Sequence, residues 1–170
     1  MLGRISSHSA VTLQRTRAFC GGSGTFIDKV KVRGANALLG SFISSNKFDR
    51  VLSGLHVDTI EDGVVRCSIP VDESRQNAFG TLHGGATSTI VDVVGTMALL
   101  TLDHTKPGVS IDLNVSFVGA AKVGTTVLVE GRVLKMGRSL GFTQVDLRLQ
   151  DGTLVATGRH TKAFAGASKK

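Results

Sequence analysis

The segment from Asn77 to Gly85, NAFGTLHGG, combines hydrogen-bonding side chains with three glycines just before the longest apolar run of the chain. Glycine in a helix costs about 1 kcal/mol relative to alanine, so a pair of glycines at a helix start indicates close approach to the backbone. The N–H groups of a first helical turn have no partners within the helix and carry the positive end of its dipole. The segment is therefore a candidate site for an oxygen that bears negative charge.

Asp92 and Ser110 are the other residues that could do chemistry. Asp92 is a lone carboxylate inside IVDVVG, and an unpaired carboxylate is costly to bury. Two interpretations stay open: Asp92 faces solvent or a nearby hydroxyl, or it does acid–base work. Ser110 lies on the polar face of VSIDLNVSF, where a hydroxyl commonly faces solvent. The sequence shows neither a Ser-His-Asp arrangement nor a nucleophile elbow, so we do not expect Ser110 to be a nucleophile.

His83 also has two interpretations, as a general acid or as an imidazole that fixes the loop through backbone hydrogen bonds. Thr81, in the same loop, is interpreted as structural. The two cysteines, Cys20 and Cys67, form no zinc-like spacing with each other or with histidine, so no metal site is expected. Cys67 lies in a strand pattern and is interpreted as a small buried side chain.

The net charge of +7 is concentrated at the N-terminus. Residues 1–27 contain three arginines and no acidic residue, which leaves +4 for the rest of the 170-residue chain. This Arg-, Ser- and Thr-rich segment predicts a mitochondrial transit peptide and a matrix location; a disordered basic leader on a cytoplasmic protein is the alternative. The remainder is modestly basic and lacks Trp and Tyr, so nucleic acid is not an expected partner. No apolar run reaches the roughly 18 residues of a membrane span.

Hydrophobic periodicity predicts the order of elements. Residues 34–48 place apolar side chains at helical spacing and predict a short first helix. Two strands follow, joined by the turn dipeptide Asp62-Gly63. Residues 86–102 are apolar nearly all round and predict a helix buried on every side. Alternation in GVSIDLNVSFVG and in the later segments, with a second hairpin signal at Asp151-Gly152, predicts at least four more strands.

These elements predict an α+β fold in which an antiparallel sheet wraps round one long central helix. The helix is apolar on more sides than one sheet can cover, so we expect a homo-oligomer. The domain is expected to span residues 34–165, followed by a short tail at 166–170.

This order of elements, together with NAFGTLHGGATSTIVDVV and VSIDLNVSF, resembles the hotdog-fold acyl-CoA thioesterases of the phenylacetate-thioesterase type. The joint motif is an Asn six residues before HGG and an Asp nine residues after its His. The resemblance implies a hotdog fold and hydrolysis of acyl-CoA to a free acid and CoA. It implies no separate cofactor, because CoA is part of the substrate, and either a homodimer or a tetramer of two dimers.

Thioester hydrolysis needs donors aimed at the carbonyl oxygen as it becomes an oxyanion, and a base or nucleophile near the carbonyl carbon. The resemblance implies that Asn77 and the Gly84 N–H hold the carbonyl. It also implies that Asp92 activates water, or attacks directly, across the dimer interface. Ser110 would orient the water with Asp92, and His83 would have a positioning role near the carbonyl.

The phosphates and adenine of CoA require cations and hydrogen-bond donors at the mouth of the site. Basic residues of GAAKVG and KMGRSLG fall where the family places its nucleotide contacts, although an ordinary charged turn is the alternative for the second. These candidates are Lys122, Lys135, Arg138 and Ser139, with His160 and Lys162 as weaker ones.

Three functions stay open on the sequence alone. The first is an acyl-CoA thioesterase, for which the resemblance suggests medium- to long-chain fatty acyl groups, with an aryl-CoA such as a hydroxynaphthoyl-CoA as the alternative. A hotdog dehydratase or hydratase would need a different arrangement of His and acid. A non-catalytic acyl-CoA-binding module would keep the glycine loop but would not need Asp92. The joint presence of Asn77 and Asp92 favours the thioesterase.

Overall fold

A computed structural model describes residues 26–44 and 47–164 of the chain. The predicted leader lies outside these ranges except for residues 26 and 27, and the tail lies wholly outside them. The first helix, α1 (Phe26–Ile43), begins eight residues before the predicted segment and ends five residues before its predicted end. Short 3-10 helices follow at Phe48–Leu52 and Glu73–Arg75.

One six-stranded antiparallel sheet contains every strand of the described residues, in the order β1-β2-β4-β5-β6-β3. The two hairpins predicted from Asp-Gly dipeptides are both present, joining β1 to β2 and β5 to β6. The strand that follows the central helix, β3, pairs with β6 and forms one edge of the sheet. The strands are β1 (His56–Glu61), β2 (Val64–Pro70), β3 (Val109–Phe117), β4 (Thr126–Met136), β5 (Leu140–Leu149) and β6 (Leu154–Ala163).

The central helix, α2 (Gly84–Leu102), packs against the sheet and provides much of the core. The contact is close: a Cβ at Gly158 of β6 would lie 2.6 Å from Val91 Cγ1, and one at Gly131 of β4 would lie 2.8 Å from Val94 Cγ1. By length and hydropathy alone α2 could cross a membrane, but its burial against the sheet is that of a core helix. This arrangement confirms the predicted hotdog fold.

Burial of α2 on every side is not achieved within one chain. Asp92, Val93, Thr96 and Met97 are only half-buried. The neighbouring edge strand is open as well, because Val109, Ile111 and Phe117 are 70%, 57% and 60% exposed. A partly uncovered core helix beside an open sheet edge with exposed apolar side chains is typical of a subunit interface.

Candidate active site

Asn77 organises the loop that leads into α2. Its Oδ1 accepts hydrogen bonds from the backbone N–H groups of Phe79 (2.9 Å) and Thr81 (3.2 Å). Its Nδ2 donates to Thr81 Oγ1 at 2.9 Å. Gly80 adopts φ +72° within this turn, a conformation that glycine adopts without strain. One of the two amide hydrogens is used by Thr81, which leaves the second available to a ligand.

The start of α2 distinguishes the two glycines of the HGG motif. His83 is the N-cap residue, and its Nδ1 accepts the N–H of Gly85 at 2.9 Å. A Cβ at Gly85 would lie 3.1 Å from that nitrogen, so glycine at this position accommodates the cap. Among the hydrogen bonds of the described residues none uses the N–H of Gly84. The pair of glycines predicted that a ligand approaches the backbone at both positions, but of the two only Gly84 has a free N–H donor.

A pocket of about 210 Å³ contains these donors. Asn77, Thr81 and Gly84 line it on one side, and the ring of Phe117 from the end of β3 lines it on another. We refer to Asn77, Thr81 and Gly84 as the carbonyl half of the site. The pocket is also bounded by small and apolar residues of β6 and of the loop before β4, so the two donors lie beside an apolar wall.

Asp92 meets two residues that are distant in sequence. Ser110 Oγ donates to Asp92 Oδ1 at 3.3 Å, and His160 Nε2 lies 2.8 Å from the same hydroxyl oxygen. His160 Nε2 is also 3.4 Å from Asp92 Oδ1. We refer to Asp92, Ser110 and His160 as the acid half of the site. Ser110 therefore faces the central helix, and the half-exposed Asp92 has the hydroxyl partner that the sequence left open.

The acid half is not arranged as a Ser-His-Asp triad. In a triad the carboxylate binds one ring nitrogen and the serine binds the other. Here both Asp92 and Ser110 approach Nε2 of His160, whereas Nδ1 is buried without a hydrogen-bond partner in the described structure. An orphaned buried N–H is rarer in proteins than an unpartnered acceptor. We therefore assign the proton to Nε2, which donates to Ser110 Oγ, which in turn donates to Asp92.

His160 is fully buried, and burial lowers its pKa, with the carboxylate of Asp92 opposing this shift. Lys162, two residues later on β6, is 7% exposed and its Nζ donates to Thr96 Oγ1 at 2.8 Å. These positions do not fit the suggested contacts with CoA phosphates, which require exposed cations. The strand pattern of GRHTKAF did not reveal which of its polar residues face the helix.

The two halves lie apart within one subunit. Gly84 and Asp92 are eight residues apart on α2, which corresponds to about 12 Å along the axis. Attack on a carbonyl bound at Gly84 requires a base within hydrogen-bonding reach of the attacking water. Within one subunit, the donors at Gly84 and the carboxylate of Asp92 are therefore too far apart to act on one carbonyl group.

The nucleotide-binding candidates divide in the same way. Lys122 lies beside the carbonyl half, because its backbone forms an isolated antiparallel β-bridge with Thr81. Lys135, Arg138 and Ser139 lie at the far end of β4 and in the turn that follows. Nine strand residues separate Thr126 from Lys135, about 30 Å in extended chain. Ser139 O accepts the N–H of Phe164, which places this turn near the end of β6, beyond the acid half.

No group of three His, Cys, Asp or Glu side chains in residues 26–44 and 47–164 is placed to hold a metal ion. Cys67 is buried in β2, and burial, with the carboxylate of Asp58 adding to it, raises the pKa of the thiol to about 12. It remains a thiol at neutral pH and behaves as the small buried side chain predicted from its strand.

Comparison with known proteins agrees with this fold. The profile of the thioesterase superfamily matches residues 79–156. Acyl-coenzyme A thioesterase 13 of Homo sapiens is 44% identical over 119 residues, which cover 69% of this chain and 85% of the relative. The crystal structure of zebrafish thioesterase superfamily member 2 superposes with a TM-score of 0.76 and 41% identity over 79% of this chain and 98% of that one. The crystal structure of thioesterase superfamily member 2 from Mus musculus superposes with a TM-score of 0.73 and 35% identity, over 79% of this chain and 98% of that one. The chain belongs to the thioesterase superfamily and is a thioester hydrolase.

Proposed function

We propose that the protein hydrolyses acyl-CoA thioesters at a site that two subunits share. The observation that carries this proposal is the division of the site, with two hydrogen-bond donors at one end of α2 and a carboxylate about 12 Å along the same helix. The relatives named as acyl-coenzyme A thioesterases support CoA as the leaving group. Neither half alone performs hydrolysis.

The edge strand β3 supplies the geometry for joining the halves. It begins at Val109 beside Ser110 of the acid half and ends at Phe117, whose ring lies 3.4 Å from the Cβ position of Gly84. If two copies pair antiparallel along this edge, the start of one strand lies beside the end of the other. The acid half of each subunit then faces the carbonyl half of the other, and the exposed apolar side chains of β3 become buried.

The same pairing brings the basic groups to one site. Lys122 accompanies the carbonyl half of one subunit, and Lys135 and Arg138 lie beyond the acid half of the other. A CoA nucleotide needs several cations and donors at once, and in a single subunit these groups are too far apart. We propose that they bind the nucleotide together with Ser139.

The proposed reaction begins with the thioester oxygen between Asn77 Nδ2 and the Gly84 N–H. Asp92 of the other subunit accepts a proton from water while the water oxygen attacks the carbonyl carbon. The oxyanion is stabilised by the two donors and by the positive end of the helix dipole. On collapse the C–S bond breaks, the CoA thiolate accepts the proton from Asp92, and the acid leaves. Ser110 holds Asp92 in position through its hydroxyl.

Attack by Ser110 itself is a second mechanism, favoured by the 2.8 Å contact with His160 Nε2. The tautomer assigned above opposes it, because a protonated Nε2 cannot accept the serine proton. A serine nucleophile would form an acyl-enzyme that accumulates before hydrolysis. If water attacks directly, the wild type should show no burst of CoA release and Ser110→Ala should retain part of the activity.

The function is tested by measuring CoA release from fatty acyl-CoAs of increasing chain length and from a hydroxynaphthoyl-CoA. Wild type is compared with Asp92→Asn, which preserves the shape of the side chain, and with Asp103→Asn at the other end of α2 as the matched control. Loss of the base is expected to reduce kcat by about 10²–10⁴-fold, while Asp103→Asn remains near wild type. Undiminished turnover by folded Asp92→Asn would refute the role of Asp92, and CoA binding by the wild type without release would indicate a binding module.

Sharing of the site is tested by co-expressing Asp92→Asn with Gly84→Pro, each of which removes a different half. Random pairing makes half of the dimers mixed, and each mixed dimer has one intact site and one doubly defective site. The mixture should therefore recover about a quarter of the wild-type sites. A mixture no more active than its two parents would place the complete site within one subunit.

A further inference from the structure

Lys162 is a buried ammonium beside the acid half of the site. Its side chain is 7% exposed, and its Nζ donates to Thr96 Oγ1 at 2.8 Å. Thr96 Oγ1 in turn donates to the backbone carbonyl of Asp92 at 2.8 Å. Within the described residues, no carboxylate lies within 4.0 Å of Nζ. A threonine hydroxyl thus connects the lysine directly to the residue that carries the proposed base.

A buried ammonium requires compensation, because removal of its hydration shell is costly. Burial lowers the pKa of Lys162, and the negative charge of Asp92 opposes this shift. The same ammonium acts on His160, whose pKa is lowered first by burial and further by the positive charge of Lys162. The lysine therefore interacts electrostatically with both titratable members of the acid half while touching neither side chain.

We propose that Lys162 is a positioning residue for the acid half, which fixes Asp92 through Thr96 and opposes a positive charge on His160. This inference rests on the proposed function, since it requires Asp92 to be the base. The ammonium favours a negative charge on α2 and disfavours a second positive charge on β6. The relay through Thr96 holds the backbone at Asp92 against β6.

The other groups that β3 and β6 place near Asp92 provide no positive charge. From β6 the acid half receives His160, which is neutral, and Lys162. From β3 it receives Ser110, which is uncharged, and Asp112, whose negative charge favours protonation of His160. Lys162 is thus the positive charge in this cluster that opposes Asp112.

The alternative is a purely structural lysine whose aliphatic stem fills space beside α2. Lys162→Met keeps the length of the stem and removes the charge, whereas Lys162→Arg keeps the charge. Replacement of a buried charged group by an apolar one of similar volume is commonly tolerated, and Lys162→Gln provides a second neutral variant should the methionine variant fail to fold. Lys106→Met, at an ion pair outside the site, is the control for loss of one positive charge.

The experiment measures kcat/KM of the full chain against pH, from about pH 4.5 to 9, with one acyl-CoA on which the wild type is active. Asp92→Asn is measured first and should lose the activity, as the proposed function requires. Protonation of His160 places a positive charge beside Asp92 and weakens it as a base. In Lys162→Met the acidic limb should therefore move to higher pH by about one unit, because the positive charge that lowers the pKa of His160 has been removed.

The conservative and control variants complete the test. Lys162→Arg and Lys106→Met should keep the acidic limb at its wild-type position. A neutral variant that lowers kcat/KM equally at every pH, with an unmoved limb, would overturn the inference and leave a structural lysine. Undiminished activity of folded Asp92→Asn would instead overturn the proposed function, so the two failures are distinguishable.

Discussion

The two halves of the site are built in different ways. The carbonyl half comes from nine consecutive residues, in which Asn77 forms the turn and His83 caps the helix. The acid half comes from α2, β3 and β6, with contacts that span 18 residues between Asp92 and Ser110 and 50 between Ser110 and His160. The first depends on local hydrogen bonds and the second on how closely α2 packs against the sheet. Changes to packing should therefore damage one half and spare the other.

The sharpest test of the local half removes its backbone donor while retaining the helix. Gly84 is the first residue of α2, a position where proline is well tolerated because its missing N–H has no helical partner. The preceding His83 has φ −67° and ψ 138°, an extended conformation compatible with a following proline. Gly84→Pro should reduce kcat by about 10²–10³-fold, the usual effect of losing one oxyanion donor.

Gly84→Ala is the matched control, because it adds a methyl group and keeps the N–H. Its Cβ would lie 3.4 Å from the ring of Phe117, an ordinary contact. Steady-state kinetics on both variants, with the helix content followed by circular dichroism, separates the two effects. If proline and alanine reduce kcat equally, the backbone donor is not part of the site.

The carbonyl half of the site is well predicted from the sequence, because its structure depends on neighbouring residues. Glycines, a capping histidine and an Asn-based turn determine structure within a few residues, so NAFGTLHGG contains most of its own geometry. The strands and the central helix were also predictable, because hydrophobic periodicity follows the pleat and the helical turn. The limits of α1 differ most from the prediction, because this helix starts at Phe26.

The acid half could be predicted only in part. Asp92 was conspicuous because a carboxylate is unusual in an apolar helix, but its partner His160 was not. Whether His160 faces α2 or solvent depends on the register of β6 between β5 and β3, which no local pattern fixes. The buried position of Lys162, paired across the sheet with Ser110, follows from the same register and was missed for the same reason.

Packing of the acid half is tested at Gly95, in the middle of α2. A Cβ there would lie 2.7 Å from Thr143 Oγ1 and 3.3 Å from His160 Nδ1, both buried. Overpacking of this kind costs about 1–3 kcal/mol, and the better helix propensity of alanine returns about 1 kcal/mol. Gly95→Ala should therefore lower the free energy of unfolding by about 1 kcal/mol and displace His160. Thr143→Ala in the same chain should restore much of the loss in a denaturant titration, and a purely additive double mutant would contradict the proposed contact.

The smallest effect expected is the pH dependence of stability that His160 creates. Because burial lowers the pKa of this imidazole in the folded state, the unfolded chain binds a proton that the native chain does not in the window below about pH 6.5. The free energy of unfolding should therefore fall as pH decreases through that window, with a slope of at most about 1.4 kcal/mol per pH unit.

His160→Gln should flatten this slope, whereas substitution of the exposed His104 by Gln should not. Denaturant titrations at fixed protein concentration between pH 5 and 7.5 measure it, and an unchanged slope in His160→Gln would mean that the ring nitrogens are accessible to protons in the native state. The carbonyl half contains no comparable buried imidazole, since His83 is exposed. The pH dependence of stability should therefore respond to changes in the acid half and not to changes in the carbonyl half.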